Sequence, residues 1–292
     1  MAPLSDVRFV RANDIDIGYF EMGDGPLALC LHGFPDTAHT WEHLLPVLAD
    51  AGYHAVAPFL RGYAPTGLAP DGAYPSAALG LDANALHEVL GGGADAVIIG
   101  HDWGAAGTYA AVSLDPDRWR RAVTLAVPPA SVVAEAFFSY DQLRLSWYMF
   151  FFQHPLSDTV VQMNDHEFVA RLWADWSPGF DGSPYVQRWR EAMPTPEHVT
   201  AALTYYRHTI GGVTTPGYDA ATAAGFQPPS IPTLYLHGRT DGCMRVELVE
   251  DARRHLPAEG SDAVIVEGAG HFLHLERPAE VNRLILDFLA AG

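Results

Sequence analysis

The sequence contains no lysine, and all 17 of its basic residues are arginines. Schiff-base chemistry and a P-loop phosphate cradle both need a lysine amine, so neither is available. Positive charge is scarce as a whole: 17 Arg against 35 Asp plus Glu leave a formal charge of −18. Nucleic acid and anionic membranes are bound through basic footprints, so neither is expected as a partner. Cysteine is rarer still, with only Cys30 and Cys243. Two cannot build a disulfide framework or a cysteine-only zinc site. Cys30 lies in the apolar run 27–31 and reads as a small core residue. No stretch approaches the ~18 uninterrupted apolar residues of a membrane span. The first 14 residues carry Asp6, Arg8, Arg11 and Asp14 and lack the apolar core of a signal peptide. A reduced, cytoplasmic protein is the expectation.

What is present describes a folded chain. Its 292 residues are 49% apolar and 18% charged, enough to bury a large core. Short apolar runs recur at 7–12, 15–20, 27–31, 55–57, 96–99, 122–127, 233–236 and 263–266. Several are apolar nearly throughout, as strands covered on both faces are. The first two resemble a hairpin around Ala12-Asn13-Asp14. Helical patterns separate the later ones, which predicts a mostly parallel sheet with helices on both sides. The rhythm breaks after Val127: about a hundred aromatic-rich residues of helical pattern follow before strands resume at Thr233. The reading is one α/β domain, 1–128 with 230–292, carrying a helical insertion at 129–229 after the sixth strand. An insertion over the carboxyl ends of the strands makes a lid on a crevice. An amphipathic helix over 279–290 closes the chain.

The most informative stretch is Val97-Ile98-Ile99-Gly100-His101-Asp102-Trp103-Gly104. An apolar strand runs into a helix of small residues through Gly-x-Asp-x-Gly, the layout of a nucleophile elbow with Asp in place of Ser. Glycines at 100 and 104 let strand and helix cross closely. An Asp here also serves simply to cap a helix, so this stretch alone leaves both readings open.

Together with His32-Gly33-Phe34-Pro35 after a strand and Gly270-His271 near the end, the elbow resembles the α/β-hydrolase superfamily. Its epoxide hydrolase branch is the nearest, with the haloalkane dehalogenases beside it. The resemblance spans nearly the whole chain and implies an eight-stranded, mostly parallel sheet flanked by helices, with a helical cap. The family order of nucleophile, acid and histidine implies Asp102, then Asp241 in His237-Gly238-Arg239-Thr240-Asp241, then His271. The rival acid position after the sixth strand holds Pro128 and Pro129. His101 and His274 read as structural. By resemblance, backbone N–H groups of Phe34 and Trp103 form the oxyanion hole, and the Phe34–Pro35 bond is cis.

Aspartate suits a particular chemistry. With a reference pKa of ~3.9 it is already an anion and displaces a leaving group at saturated carbon. An alkyl ester forms, which water activated by His271, held by Asp241, then splits. An epoxide oxygen must also be protonated. The family uses two lid tyrosines, and Tyr148 and Tyr206 match those segments. Leu145, Tyr148, Met149 and Phe152 fall at helical spacing on one face. Val199, Leu203, Tyr206 and Ile210 share another, with Tyr206 inward and Tyr205 to the side. Thr195, Pro196 and Gly211-Gly212 bound that second helix.

Phe34, Trp103 and Phe152 are expected against the substrate. Lid aromatics Phe137, Phe138, Trp147, Phe150, Phe151, Phe152, Trp173, Trp176 and Trp189 point to a large pocket for a bulky apolar epoxide. Dehalogenases often carry Asn where Phe34 stands, and fluoroacetate dehalogenases carry Arg where Trp103 stands, so both positions favour epoxide. Trp103 could still serve a halide. The other alternative is a ligand-binding protein that keeps the fold without turnover. The implied reactants are an apolar epoxide and water. No metal or organic cofactor is implied, and a homodimer is left open. One departure stands out: relatives usually have an Asp shortly before the Arg-Gly after the fourth strand, whereas Phe59-Leu60-Arg61-Gly62 has none. A local structural difference is expected there.

Overall fold

The computed structural model describes residue 4, residues 6–213 and residues 215–291. Residues 1–3, 5, 214 and 292, which fall inside the three expected segments, lie outside the described residues. Eight strands form one sheet: β1 (Arg8–Ala12), β2 (Ile15–Met22), β3 (Leu27–Leu31), β4 (His54–Pro58), β5 (Val97–His101), β6 (Arg121–Leu125), β7 (Thr233–Gly238) and β8 (Asp262–Val266). Their spatial order is β1-β2-β4-β3-β5-β6-β7-β8. β2 pairs antiparallel with β1 and β4, and every other pairing is parallel. The hairpin between β1 and β2 turns on Asn13 (φ 45°) and Asp14 (φ 61°), the two-residue turn whose twist matches its strands. β3, β5 and β6 are buried along their whole length, which is why they read as mostly apolar runs. β6 ends two residues before the expected Val127, because Ala126 turns to φ 67° and leaves the ladder.

Helices α1 (Leu45–Asp50), α2 (Ser76–Val89) and α3 (Trp103–Leu114) belong to the first part of the chain. The stretch between β6 and β7 carries α4 (Ala130–Ala136), α5 (Tyr140–Leu145), α6 (Trp147–Phe151), α7 (Leu156–Trp176), α8 (Ser183–Ala192), α9 (Pro196–Ile210) and α10 (Asp219–Gly225). After it come α11 (Leu248–Arg254), α12 (Leu273–Glu276) and α13 (Pro278–Ala290). α13 buries Val281, Ile285 and Leu289 at intervals of four, the stripe its sequence predicts. Among the described residues no helix is long and apolar enough to cross a membrane.

The helices between β6 and β7 sit on loops that follow the parallel strands. The Trp173 indole N–H donates to Pro35 O at 3.0 Å, and the Tyr205 hydroxyl donates to Arg61 O at 2.7 Å. Two expectations change here. The helical face through Leu145, Tyr148, Met149 and Phe152 is not one helix: it breaks at Ser146 (φ −89°, ψ 12°), between α5 and α6. Tyr205 is not merely lateral. It is fully buried, because α9 is covered on that side by the Arg61 loop. α7 is interrupted at 163–166, where Asn164, Asp165 and His166 all take positive φ. α10, which the sequence pattern puts in the insertion, packs against α2 and α3.

The missing carboxylate beside Arg61 comes from elsewhere. Asp82 on α2 grips the guanidinium with both oxygens, each at 2.6 Å, and Arg61 is buried. Asp82 also accepts from the Asn13 side chain at 2.7 Å. Breaking a buried pair strands the remaining charge, so Asp82→Asn is expected to cost about 3 kcal/mol or more. A denaturant unfolding midpoint unchanged from the parent would contradict this.

Candidate active site

β5 carries the chain to His101, and α3 begins at Trp103. Asp102 between them has φ 53° and ψ −116°, a strained conformation for a residue with a β-carbon. The surroundings impose it. Gly104 lies against the Leu31 carbonyl, where a β-carbon has no space, and Gly33 lies against the Asp102 side chain. The strained bend aims the carboxylate out of the sheet. The Phe34 N–H donates to Asp102 Oδ1 at 2.7 Å, and the Phe34–Pro35 bond is cis, as expected. The Trp103 amide opens α3 directly beside it.

His271 lies on the loop after β8. Its Nδ1 is 2.9 Å from Asp241 Oδ2, and its Nε2 is 3.6 Å from Asp102 Oδ2. The other Asp241 oxygen accepts backbone N–H bonds from Cys243 (2.6 Å) and Met244 (2.9 Å). The loop is pinned from the far side: His271 N–H donates to Trp176 O at 3.0 Å, and Phe272 N–H to Ser177 Oγ at 3.0 Å. The end of α7 therefore helps to set the imidazole.

The electrostatics follow from burial and charge. Burial alone would depress the basicity of His271, but the Asp241 and Asp102 carboxylates outweigh it and push the imidazole up to about 10. Burial works against the Asp241 anion too, yet His271 and the two backbone donors hold that carboxyl below its ordinary value. His101 and His274 behave as the sequence suggests. Burial lowers the first to about 3 and the second well below the usual imidazole range. His101 Nε2 contacts His271 O at 3.0 Å, and His274 sits beside Trp41 and Thr40.

Tyr148 on α6 and Tyr206 on α9 converge, with ring centroids 5.6 Å apart. Both phenols are pushed well above their usual range: burial dominates, followed by Cys243 for Tyr148 and by Asp102 for Tyr206. Both therefore keep their protons. The Tyr148 hydroxyl is 3.1 Å from Cys243 Sγ, while the buried Tyr206 hydroxyl makes no close hydrogen bond among the described residues.

A cavity of about 460 Å³ joins these groups. Asp102, Trp103, Tyr148, Tyr206, Cys243 and Met244 line its inner end. Mostly aliphatic residues line the rest together with Phe137, Phe138 and Phe226, and Phe138 and Phe226 reach solvent. Of the expected substrate contacts, Trp103 lines this cavity, whereas Phe34 and Phe152 do not. They pack edge to face at 5.5 Å and both meet the Tyr206 ring, so they act as backing for it. Trp173, Trp176 and Trp189 are likewise core, and Trp147 and Phe150 face solvent. Aromatic content overstates the wall because it also fills the space between layers.

Two residues near the chemistry were missed. Cys243 follows the acid by two positions and projects into the cavity. Asp36, straight after the cis proline, is fully buried; burial pushes it up to about 7, and its Oδ2 is unpartnered. Its place after His-Gly-Phe-Pro was the only sequence signal for it.

Comparison with known proteins agrees with this geometry. The alpha/beta hydrolase fold family matches residues 26–278. The chain is 30% identical to the AB hydrolase superfamily protein YfhM of Bacillus subtilis, over 97% of each chain. It therefore belongs to the α/β-hydrolase superfamily. It is 29% identical to Epoxide hydrolase A of Mycobacterium tuberculosis, over 97% of this chain and 96% of that one. The solved structure of an epoxide hydrolase from an endophytic Streptomyces matches with a TM-score of 0.79 and 27% identity, covering 99% and 96% of the two chains. Within the superfamily the chain falls in the branch that carries the epoxide hydrolases.

Proposed function

We propose that the protein opens an apolar epoxide to a vicinal diol through an ester on Asp102. The supporting observation is the two-sided hold on that carboxylate. Oδ1 accepts from the Phe34 amide, while Oδ2 lies 3.6 Å from His271 at the inner end of a cavity it shares with two protonated phenols. In this reading residues 129–229 are a cap over a core of 1–128 and 230–292, and the cap supplies both phenols.

Oδ2 attacks a ring carbon, and the carbon–oxygen bond of the ring breaks. Tyr148 and Tyr206 donate hydrogen bonds to the departing oxygen, and one of them gives it a proton. Alkylation removes the Asp102 charge. One of the two carboxylates that raise the basicity of His271 is thereby lost, the imidazolium hands its proton back to the phenolate left by ring opening, and the neutral imidazole can then take a proton from water. The hydroxide adds to the Asp102 carboxyl carbon, with the developing oxyanion facing the amides of Phe34 and Trp103. The ester bond then breaks at that carbon, the leaving oxygen takes the proton held by His271, the diol leaves, and the new carboxyl group gives its own proton to the imidazole as the carboxylate returns.

A single turnover with enzyme in excess, run in ¹⁸O water, tests this. Label is expected in the Asp102 carboxylate and not in the first diol released. Label appearing in that diol instead means direct attack by water. Haloalkane dehalogenation is the second reading, because the buried Trp103 indole N–H beside the same cavity makes no close hydrogen bond among the described residues, the Tyr206 hydroxyl being only a weak acceptor for it. Halide release from haloalkanes, with epoxides left untouched, would favour it.

A further inference from the structure

The proposed cycle leaves one reactive group at the inner end of the cavity unused. Cys243 is buried, and Tyr148 is its only side-chain hydrogen-bond neighbour among the described residues. Burial, then the Asp241 and Asp102 carboxylates, push its thiol well above the usual range, so it does not compete with Asp102 for an electrophile. Its position matters more. One ligand atom each from Asp102, Cys243 and His271 lie within 4.8 Å of one another, and all three residues are buried.

We propose that Asp102, Cys243 and His271 form a binding site for a borderline-soft divalent cation such as Zn²⁺, and that the cation blocks the active site. The His271 Nε2 is buried, makes no close hydrogen bond among the described residues, and faces the Asp102 oxygen at 3.6 Å. Ligand bonds of ~2.0–2.3 Å in a tetrahedral site leave ligand atoms roughly 3.3–3.7 Å apart, so this pair already stands at a chelating distance. The other imidazole nitrogen is fixed by Asp241 at 2.9 Å, the outer carboxylate that orients metal-bound histidines. A sulfur, an imidazole and one carboxylate select zinc-like ions over Mg²⁺ or Ca²⁺. Three protein ligands leave the fourth position open to the cavity. Charge also balances: the cation's two charges meet one carboxylate and one thiolate, and the protons of the thiol and the imidazole leave to solvent. Binding does not depend on the hydrolase reading; inhibition does.

The test uses the full chain after treatment with chelator. Zn²⁺ is titrated calorimetrically and Co²⁺ spectroscopically against the parent, Cys243→Ala and the similar-sized Cys243→Ser. The parent is expected to bind one equivalent that both variants bind at least ~10-fold more weakly. Its Co²⁺ complex should show a thiolate-to-metal charge-transfer band that both variants lack. Zn²⁺ should inhibit epoxide turnover by the parent at ~10-fold lower concentration than it inhibits either variant, each measured against its own metal-free rate. Equal affinity in all three proteins, or a Co²⁺ complex of the parent without that band, overturns the proposal. A parent that binds metal through Cys243 but turns over no epoxide sinks the hydrolase reading and leaves the site standing. Turnover without the band does the reverse.

Discussion

His271→Ala is expected to stop the cycle half-way, with the substrate attached to Asp102. Ring opening needs the carboxylate, its Phe34 donor and the two phenols, none of which the substitution removes. Hydrolysis of the ester needs a base, and the two histidines packed beside His271 are poorly placed to replace it. His101 and His274 are buried, and each has one ring nitrogen engaged, by His271 O and Thr40 respectively. Steady-state turnover should fall by about 10³-fold or more. Intact mass should rise by the mass of the whole epoxide, since addition expels no atoms, and fragmentation should locate it at Asp102. A haloalkane would leave an adduct lighter by hydrogen halide. A variant that accumulates nothing from a broad epoxide panel while the parent turns the panel over would refute the ester.

The two phenols should fail differently. Losing one proton donor is expected to slow ring opening by about 10²-fold, and Tyr148→Phe with Tyr206→Phe by about 10⁴-fold. Stability should separate them. The Tyr206 hydroxyl is buried and makes no close hydrogen bond among the described residues, only a weak one with Trp103, so Tyr206→Phe removes a poorly satisfied group and should leave the melting temperature unchanged or higher. Tyr148→Phe takes a partner from Cys243 Sγ and should be neutral or slightly destabilising. A group that costs stability and serves turnover is the mark of a site kept for chemistry. Tyr206→Phe with near-parental turnover, or with a clear drop in melting temperature, would place Tyr206 in the lid core alone.

That Asp102, Asp241 and His271 would meet was legible because each follows a strand, where backbone direction constrains the next few residues. The elbow at 100–104, the loop after β7 and the loop after β8 are all of this kind. The helices between β6 and β7 were harder to read. A 3.6-residue period marks Tyr148 and Phe152 as neighbours on a face but carries no sign of the break at Ser146. Nor does it tell a cavity wall from the packing behind it, which is how Phe152 and Trp189 were assigned to the pocket. Tyr205 and Tyr206 adjoin on α9, and both are buried because that helix meets neighbours on two sides. The Arg61–Asp82 pair lies 21 residues apart, and the position of Cys243 beside Tyr148 spans 95. Contacts of that range are fixed by topology, and no local pattern announces them.

The seat of Asp102 has a consequence for how such a protein can change. Gly33 and Gly104 touch their neighbours so closely that not even a methyl group fits at either position. Elsewhere the lining is different: Phe138 and Phe226 stand partly in solvent just past the ends of the short helices α4 and α10. Divergence toward new reactants is therefore channelled. Replacements at the outer aromatics can reshape what enters, while the attacking end of the chamber tolerates almost no rewriting.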